Sequence, residues 1–273
     1  MRFPVRTAFY ISDGTGITAE VFGHALLSLF PAEFDHITIP FVETEEIALQ
    51  VKQRINDRYK TTGVRPLVFQ TFVDDKLRLI INSSEGSCYD FLNAFVEPMQ
   101  KELGLSAMPK THRTHSIHEK TYDFRIDAVN FALANDDGSN LKDYAKADII
   151  LVGVSRSGKT PTSLYLALQY GIKAANYPFV PEDLDHLKLP AELRQHKNKL
   201  FGLTITPERL SQIREQRRPG SKYASLRQCK LELDEVEALY QRERMAYLNS
   251  THLSIEEISA KIMAQTGLKR QKY

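Results

Sequence analysis

The segment GVSRSGKT (residues 153–160) carries two glycines, a lysine and a threonine at the spacing G-x-x-x-x-G-K-[ST]. Glycines let backbone N–H groups turn toward phosphate oxygens, and a lysine at this position reaches the terminal phosphates. A threonine hydroxyl at the last position is suited to bind Mg²⁺ beside those phosphates. The segment therefore predicts a phosphate-binding loop and phosphoryl-transfer chemistry.

The residues on either side of this loop support the prediction. An apolar run at 149–152 predicts a buried strand before it, and Leu164, Ala167 and Leu168 predict a helix after it. The helix N-terminus would add a partial positive charge at the phosphates. A plain glycine turn with a solvated lysine is the alternative, which this placement disfavours. The nucleotide-binding residues are predicted to be Gly153, Val154, Ser155, Arg156, Ser157, Gly158, Lys159 and Thr160.

Three side chains are candidates for the chemical step. Lys159 would neutralise phosphate charge, and Arg156 would contact phosphate unless it is an ordinary solvated arginine. An acceptor hydroxyl also needs a base, usually an aspartate. Asp137, in the DDG turn at 136–138, is the candidate, although Asp and Gly are also common in turns with no chemical role. The predicted catalytic residues are thus Lys159, Asp137 and Arg156, with Thr160 as the metal ligand.

Four basic residues lie near the end of a predicted helix, which is followed by a Pro-Gly pair. They would form a lid over the phosphates, or they would simply suit the negative end of the helix dipole. These residues are Arg214, Arg217, Arg218 and Lys222.

Two other segments carry weaker signals. The SDGTG turn at 12–16 lacks the lysine of a phosphate loop, so it either binds an anion or only turns the chain. His112, His115 and His118 recur every three residues, but their segment lacks helical periodicity. Loop histidines are therefore favoured over a metal site.

Strand and helix patterns alternate along the whole chain. Strands are predicted at 7–12, 36–42 and 65–73, with helices between them and over 76–103; the pattern resumes after a stretch that loses periodicity near 106–119. This alternation predicts an α/β fold with parallel sheets. We expect an N-terminal domain at 1–105 and a C-terminal phosphate-loop domain, with a kinase-like parallel sheet flanked by helices, at 106–273.

Composition excludes several classes of protein. The 273 residues carry a net charge of only +2, which disfavours a nucleic-acid binder. Two cysteines cannot form a disulfide framework, and no apolar run approaches the roughly 20 residues of a membrane span. The sequence also lacks a signal-peptide pattern, so we expect a cytoplasmic protein with no membrane partner.

Five stretches, which together span nearly the whole chain, resemble the pyruvate, phosphate/water dikinase regulatory proteins. FVETE at 41–45 and HRTH at 112–115 are most similar to the proteobacterial branch that acts on phosphoenolpyruvate synthase. The five stretches are YISDGTGITAEVFGHALLSLFP, GVSRSGKTPTSLYLALQYGIKAANYPFVPEDL, KLFGLTITPERLSQIRE, YASLRQCKLELDEVEALY and LNSTHLSIEEISAKI.

The resemblance implies a bifunctional regulator. It would use ADP to phosphorylate a threonine of phosphoenolpyruvate synthase, and would remove that phosphate with inorganic phosphate as acceptor, releasing pyrophosphate. It also implies Mg²⁺ and a homodimer, with ADP bound at 153–160. The same chemistry on pyruvate, phosphate dikinase, a kinase acting on a small metabolite, and a nucleotide-sensing module without catalysis are the alternatives.

Overall fold

The computed structural model describes residues 5–107, 119–184 and 188–270. Contacts between backbone positions divide the chain into two compact units, Met1–Ile117 and His118–Tyr273. Each unit contains a four-stranded parallel sheet with helices, so the predicted α/β fold with two α/β domains is confirmed. The predicted boundary at 105/106 stays a prediction, because the chain around it lies partly outside the described residues.

The first unit alternates strands and helices from its first described strand. Its sheet has the order β2-β1-β3-β4, and all three strand pairs are parallel. The elements are β1 (Arg6–Ser12), α1 (Ile17–Leu27), β2 (Phe34–Ile39), α2 (Glu45–Thr62), β3 (Leu67–Thr71), α3 (Asp75–Asn82), β4 (Ser87–Asp90) and α4 (Asn93–Leu103).

The second unit repeats this arrangement with the order β6-β5-β7-β8, again all parallel. In both units the first strand is central, and the loop after it leads into a helix. The elements are α5 (Glu119–Ala134), β5 (Ile149–Gly153), α6 (Lys159–Tyr165), β6 (Ala174–Pro178), α7 (Pro181–Leu184), α8 (Ala191–Arg194), β7 (Leu200–Thr204), α9 (Pro207–Arg217), α10 (Leu226–Glu243), β8 (Tyr247–Asn249) and α11 (Ile255–Thr266).

Helices cover both faces of the second sheet, as a parallel sheet requires. On one face Ile150 and Val152 of β5 join a core with residues of α10, and on the other face Ile149 and Leu151 pack with Ile262 of α11. The complete burial of β5 explains its uninterrupted apolar sequence. No helix in the described ranges is both long enough and apolar enough to cross a membrane.

Two strands departed from the sequence prediction. The helical pattern predicted over 76–103 is wrong in its middle, where β4 separates α3 from α4. The three-residue strand β8 was not predicted. Both strands are short and lie at the end of their sheets, where a few residues carry little periodicity.

Local sequence signals mark both ends of α11 and the start of α9. Ser254 and Glu257 form the capping box of α11, and Gly267 ends that helix with a φ of 70°. Thr206 precedes α9 with Pro207 in the first turn, but its side chain makes no capping bond. Its backbone N–H donates to the Thr251 hydroxyl at 2.8 Å, so a tertiary contact holds the start of α9.

Gly202 lets α10 approach β7 closely. A Cβ built there would lie 2.6 Å from Cζ of Tyr240 and 2.8 Å from Cβ of Tyr247. The Tyr240 hydroxyl donates to the carbonyl oxygens of Val152 and Leu203, at 2.9 and 3.2 Å. The missing side chain at 202 thus lets Tyr240 reach the end of β5.

Gly202→Ala is expected to lower the free energy of unfolding by about 2–3 kcal/mol, because the rigid ring of Tyr240 cannot move without a backbone shift. Urea unfolding followed by circular dichroism measures the change. Gly267→Ala is the matched control: it has no atom within 4 Å of the new Cβ, so only the φ of 70° opposes it, at about 1 kcal/mol. Equal costs for the two variants would contradict the close-packing argument.

Candidate phosphate-binding and phosphoryl-transfer site

The loop between β5 and α6 turns sharply at two glycines. Gly153 has a φ of 155°, and a Cβ there would lie 2.4 Å from the Leu203 carbonyl oxygen, so no other residue fits. Gly158 has a φ of 92° at the start of α6 and faces open space. Arg156, between them, also has a positive φ of 75° and an exposed side chain. The left-handed turns at Arg156 and Gly158 give the loop its concave shape.

This loop offers unpaired hydrogen-bond donors. The backbone N–H groups of Arg156, Gly158, Lys159 and Thr160 donate to no acceptor in the described part of the chain. The buried hydroxyl of Ser157 is also without a partner. Unpaired N–H groups at a helix N-terminus, together with a buried hydroxyl, fit an anion with several oxygens such as phosphate.

Lys159 is the buried cation of the site. Its side chain is only 4% exposed, and its ammonium group donates to the Val154 carbonyl oxygen at 2.9 Å. The pKa of Lys159 is lowered to about 8, mainly by burial; the charges of Asp137 and Asp136 oppose this shift, and the charge of Arg214 contributes to it. A phosphate in the loop would supply the negative charge that this lysine lacks.

Asp136 lies next to the threonine of the loop. Its Oδ1 accepts from the Thr160 hydroxyl at 2.8 Å and from the Asn176 amide at 2.5 Å. The Asn176 side chain is fully buried on β6, and its Oδ1 accepts from the backbone N–H of Asp137 at 3.0 Å. One asparagine therefore holds both aspartates of the turn in place.

Asp137 differs from its neighbour in exposure. It has left-handed dihedral angles, φ 48° and ψ 36°, and its side chain is exposed. A Cβ built on Gly138 would lie 3.2 Å from the Tyr177 ring, so the turn packs closely on β6. Of the charges that raise the pKa of Lys159, Asp137 has the largest effect. Asp137 is thus free to face a substrate beside the phosphate loop.

Arg214 supports the loop from behind. It is fully buried, donates to the Ser155 carbonyl oxygen at 3.2 Å and pairs with Glu232 at 2.7 Å. Its guanidinium group also stacks on the Tyr223 ring, 4.1 Å from the centroid. The lid alternative is therefore wrong for Arg214: its side chain is buried, and its two terminal NH₂ groups are held by the protein's own acceptors.

Ser250 holds the other end of the loop. Its hydroxyl is 3.2 Å from the Ser157 carbonyl oxygen and 3.0 Å from the Thr204 carbonyl oxygen. This side chain joins the ends of β7 and β8 to the phosphate loop.

Most of the predicted site residues lie together. One cluster contains Lys159, Thr160 and the turn of Asp137. Arg156 lies exposed in the loop. The side chain of Val154 packs into the core, so only its backbone can contact a ligand. Arg217, Arg218 and Lys222 are exposed. The roles predicted for these residues stay predictions. His112, His115 and His118 lie outside the described residues.

The sequence prediction missed Asn176 and Ser250, and it included Asp136 in the candidate turn without giving it a role of its own. A polar residue inside an apolar strand pattern was the available signal for Asn176, since a buried amide needs partners. Ser250 carried no signal, because its contacts span 46 and 93 positions in sequence.

Thr160 and Asp136 provide the oxygen ligands that Mg²⁺ prefers, a hydroxyl and a carboxylate. Two protein ligands suit this ion, which is usually completed by water and substrate phosphates. The described residues contain no group of three or more His, Cys, Asp or Glu side chains placed to hold a metal.

Binding of inorganic phosphate to the metal-free protein is expected to weaken above pH 8. Below that pH Lys159 is already charged. A bound phosphate raises the pKa of Lys159, so above pH 8 the lysine must take up a proton when phosphate binds. The dissociation constant should then rise by up to about tenfold per pH unit. Calorimetry from pH 7 to 9.5 in two buffers with different ionisation enthalpies measures this uptake. Lys159→Arg, which stays charged, should show a flat profile; a flat profile in the unmodified protein would contradict the assignment.

Comparison with known proteins gives the family of this chain. A family model described as "Kinase/pyrophosphorylase" matches residues 8–263. A protein of Alteromonas mediterranea is 68% identical over 270 residues, which cover 98% of this chain and all of the relative. Proteins of Pseudoalteromonas atlantica and Pseudoalteromonas translucida are 66% and 65% identical, with the same coverage. All three relatives carry the name "Putative phosphoenolpyruvate synthase regulatory protein".

The family match covers both units and includes the phosphate-binding loop, the aspartate turn and Ser250. The chain therefore belongs to the kinase/pyrophosphorylase family.

Proposed function

We propose that this protein regulates phosphoenolpyruvate synthase by adding phosphate to one of its threonines and removing it again. The name of the relatives and the family description support the target and the pair of reactions. One observation carries the chemical part of the proposal: the buried ammonium group of Lys159 lies in a loop of unpaired N–H donors, with two carboxylates beside it. Such a loop can hold a diphosphate or a single phosphate.

In the inactivating reaction, the loop holds the phosphates of ADP. The threonine oxygen attacks the β-phosphorus, the bond from that phosphorus to the oxygen bridging to the α-phosphate breaks, and AMP leaves. Asp137 takes the hydroxyl proton, which suits an exposed carboxylate beside the loop. Lys159, Arg156 and the loop N–H groups stabilise the charge on the transferred group.

In the activating reaction, inorganic phosphate occupies the same loop. One of its oxygens attacks the phosphorus of the phosphothreonine, and the bond to the threonine oxygen breaks. Asp137 takes the proton of the attacking hydrogen phosphate and passes it to that oxygen, and pyrophosphate leaves. The same donors serve both directions, so the ligand in the loop selects the reaction.

Mg²⁺ would be held by Thr160 and Asp136, and would supply charge neutralisation between the phosphate groups. The hydrogen bonds from Thr160 and Asn176 to Asp136 keep this carboxylate oriented toward the loop. The two aspartates thus have separate roles, Asp136 toward the metal and Asp137 toward the proton.

The acceptor is a folded protein, and we infer that the first unit contributes to its docking. A homodimer, which the family resemblance implies, belongs to the same proposal.

The decisive experiment combines the protein with phosphoenolpyruvate synthase, phosphoenolpyruvate and β-labelled ADP. Label is expected on a threonine of the synthase, and added phosphate should release it as labelled pyrophosphate. Lys159→Ala should abolish both reactions, because the loop loses its buried cation. Lys146→Ala, at an exposed lysine paired with Asp143, is the matched control and should act normally. Label on a small metabolite, or none at all with binding intact, would overturn the proposal.

Replacing each aspartate should separate the two roles. Asp137→Asn is expected to slow transfer by about 10²–10⁴-fold without changing the Mg²⁺ concentration that gives half-maximal rate. Asp136→Asn should raise that concentration at least several-fold. Rates at a series of Mg²⁺ concentrations test both variants; the same response from both would refute the division of roles.

A further inference from the structure

Two polar segments meet at the carboxyl ends of β7 and β8. The Ser250 backbone N–H donates to the Thr204 carbonyl oxygen at 2.8 Å, and the Thr206 N–H donates to the Thr251 hydroxyl at 2.8 Å. We refer to residues 204–206 and 249–252 together as the polar rim. Asn249 and His252 are its exposed members in the second of these segments.

The polar rim is fixed to the phosphate loop. The Ser250 hydroxyl lies 3.2 Å from the carbonyl oxygen of Ser157 and 3.0 Å from that of Thr204. A nucleotide whose phosphates lie in the loop is therefore long enough to reach the polar rim.

The strand order separates the rim from the acceptor side. The aspartate turn is bound to Asn176 on β6, which pairs with one edge of β5, whereas β7 pairs with the other edge and β8 lies beyond it. A threonine that approaches Asp137 must come from the β6 side. The part of the donor that does not react must then extend toward β7 and β8.

We propose that the nucleoside of the ADP donor binds on the polar rim, with Asn249 and His252 as its contacts. This inference rests on the proposed function, because it takes the loop to hold the diphosphate. The inference adds to the proposed function the position of the base. It also names the residues that make the protein bind a nucleoside diphosphate more tightly than pyrophosphate.

The chemistry of the two residues suits a purine nucleoside. The Asn249 Oδ1 accepts from the N–H and hydroxyl of Thr251, at 3.0 and 2.6 Å, which fixes the amide and directs its NH₂ group away from Thr251. That group can donate to a ring nitrogen of adenine, which has several acceptors. The exposed imidazole of His252 offers a flat face for stacking.

The test compares ADP with pyrophosphate, which has the phosphates but no nucleoside. In Asn249→Ala and His252→Ala, the dissociation constant for ADP should rise about five- to thirtyfold, and that for pyrophosphate should stay within about twofold. Asn198→Ala, at an exposed asparagine before the opposite end of β7, is the matched control and should change neither. Calorimetry measures the constants, and thermal unfolding confirms that the variants fold.

The outcomes separate this inference from the proposed function. If pyrophosphate binds and Lys159→Ala removes that binding, the assignment of the loop stands. If both rim variants then keep the normal ratio of ADP to pyrophosphate affinity, the proposed position of the nucleoside is wrong. If neither ligand depends on Lys159, the proposed function fails first and the inference with it.

A direct readout locates the base itself. Photolysis of 8-azido-ADP bound to the unmodified protein should label a peptide that contains residues 204–206 or 249–252, and excess ADP should prevent the labelling. Competable labelling confined to the β6 side, around residues 135–140 or 176–180, would overturn the inference whatever the affinities of the variants.

Discussion

The whole site depends on a close contact at the end of β5, where Gly153 meets the backbone of β7. There is no room for a side chain beside the Leu203 carbonyl oxygen, and the Tyr240 hydroxyl fills the remaining space by donating to that oxygen and to Val152. This contact fixes the direction in which the chain leaves the sheet. The following loop leads into α6 and brings Lys159 to its start, where a phosphate can bind.

The positions and partners of the charged side chains around the loop determine which charge a bound phosphate can compensate. Lys159 is buried between two carboxylates on the β6 side and the guanidinium of Arg214 behind the loop, and burial is the largest effect on its pKa. Arg214 has its own carboxylate, Glu232, and its bond to Ser155 therefore acts on the loop backbone. Asp136 already accepts hydrogen bonds from Thr160 and Asn176. The positive charge of Lys159 is therefore available for a bound phosphate to compensate.

The two units share a strand order but differ in the loop after their first strand. In the first unit the Asp13 carboxylate, in the loop after β1, accepts from the N–H groups of Val73 and Asp74, at 2.8 and 3.3 Å. That loop has no lysine. In the second unit the equivalent loop adds Lys159, and the N–H groups of Arg156, Gly158, Lys159 and Thr160 have no acceptor among the described residues. The two units therefore share a strand order, and the loop that carries a lysine is the one in the second unit.

The sequence by itself determined the alternating strands and helices, the phosphate loop and the capping box of α11. Each of these depends on neighbours within a few residues, so spacing reveals it. Only the tertiary structure decided that Asp136 binds Thr160, that Asn176 holds the aspartate turn, and that Arg214 lies behind the loop and not over it. These contacts join residues 18 to 59 positions apart. Their partners are chosen by strand order and helix packing, which local periodicity does not encode.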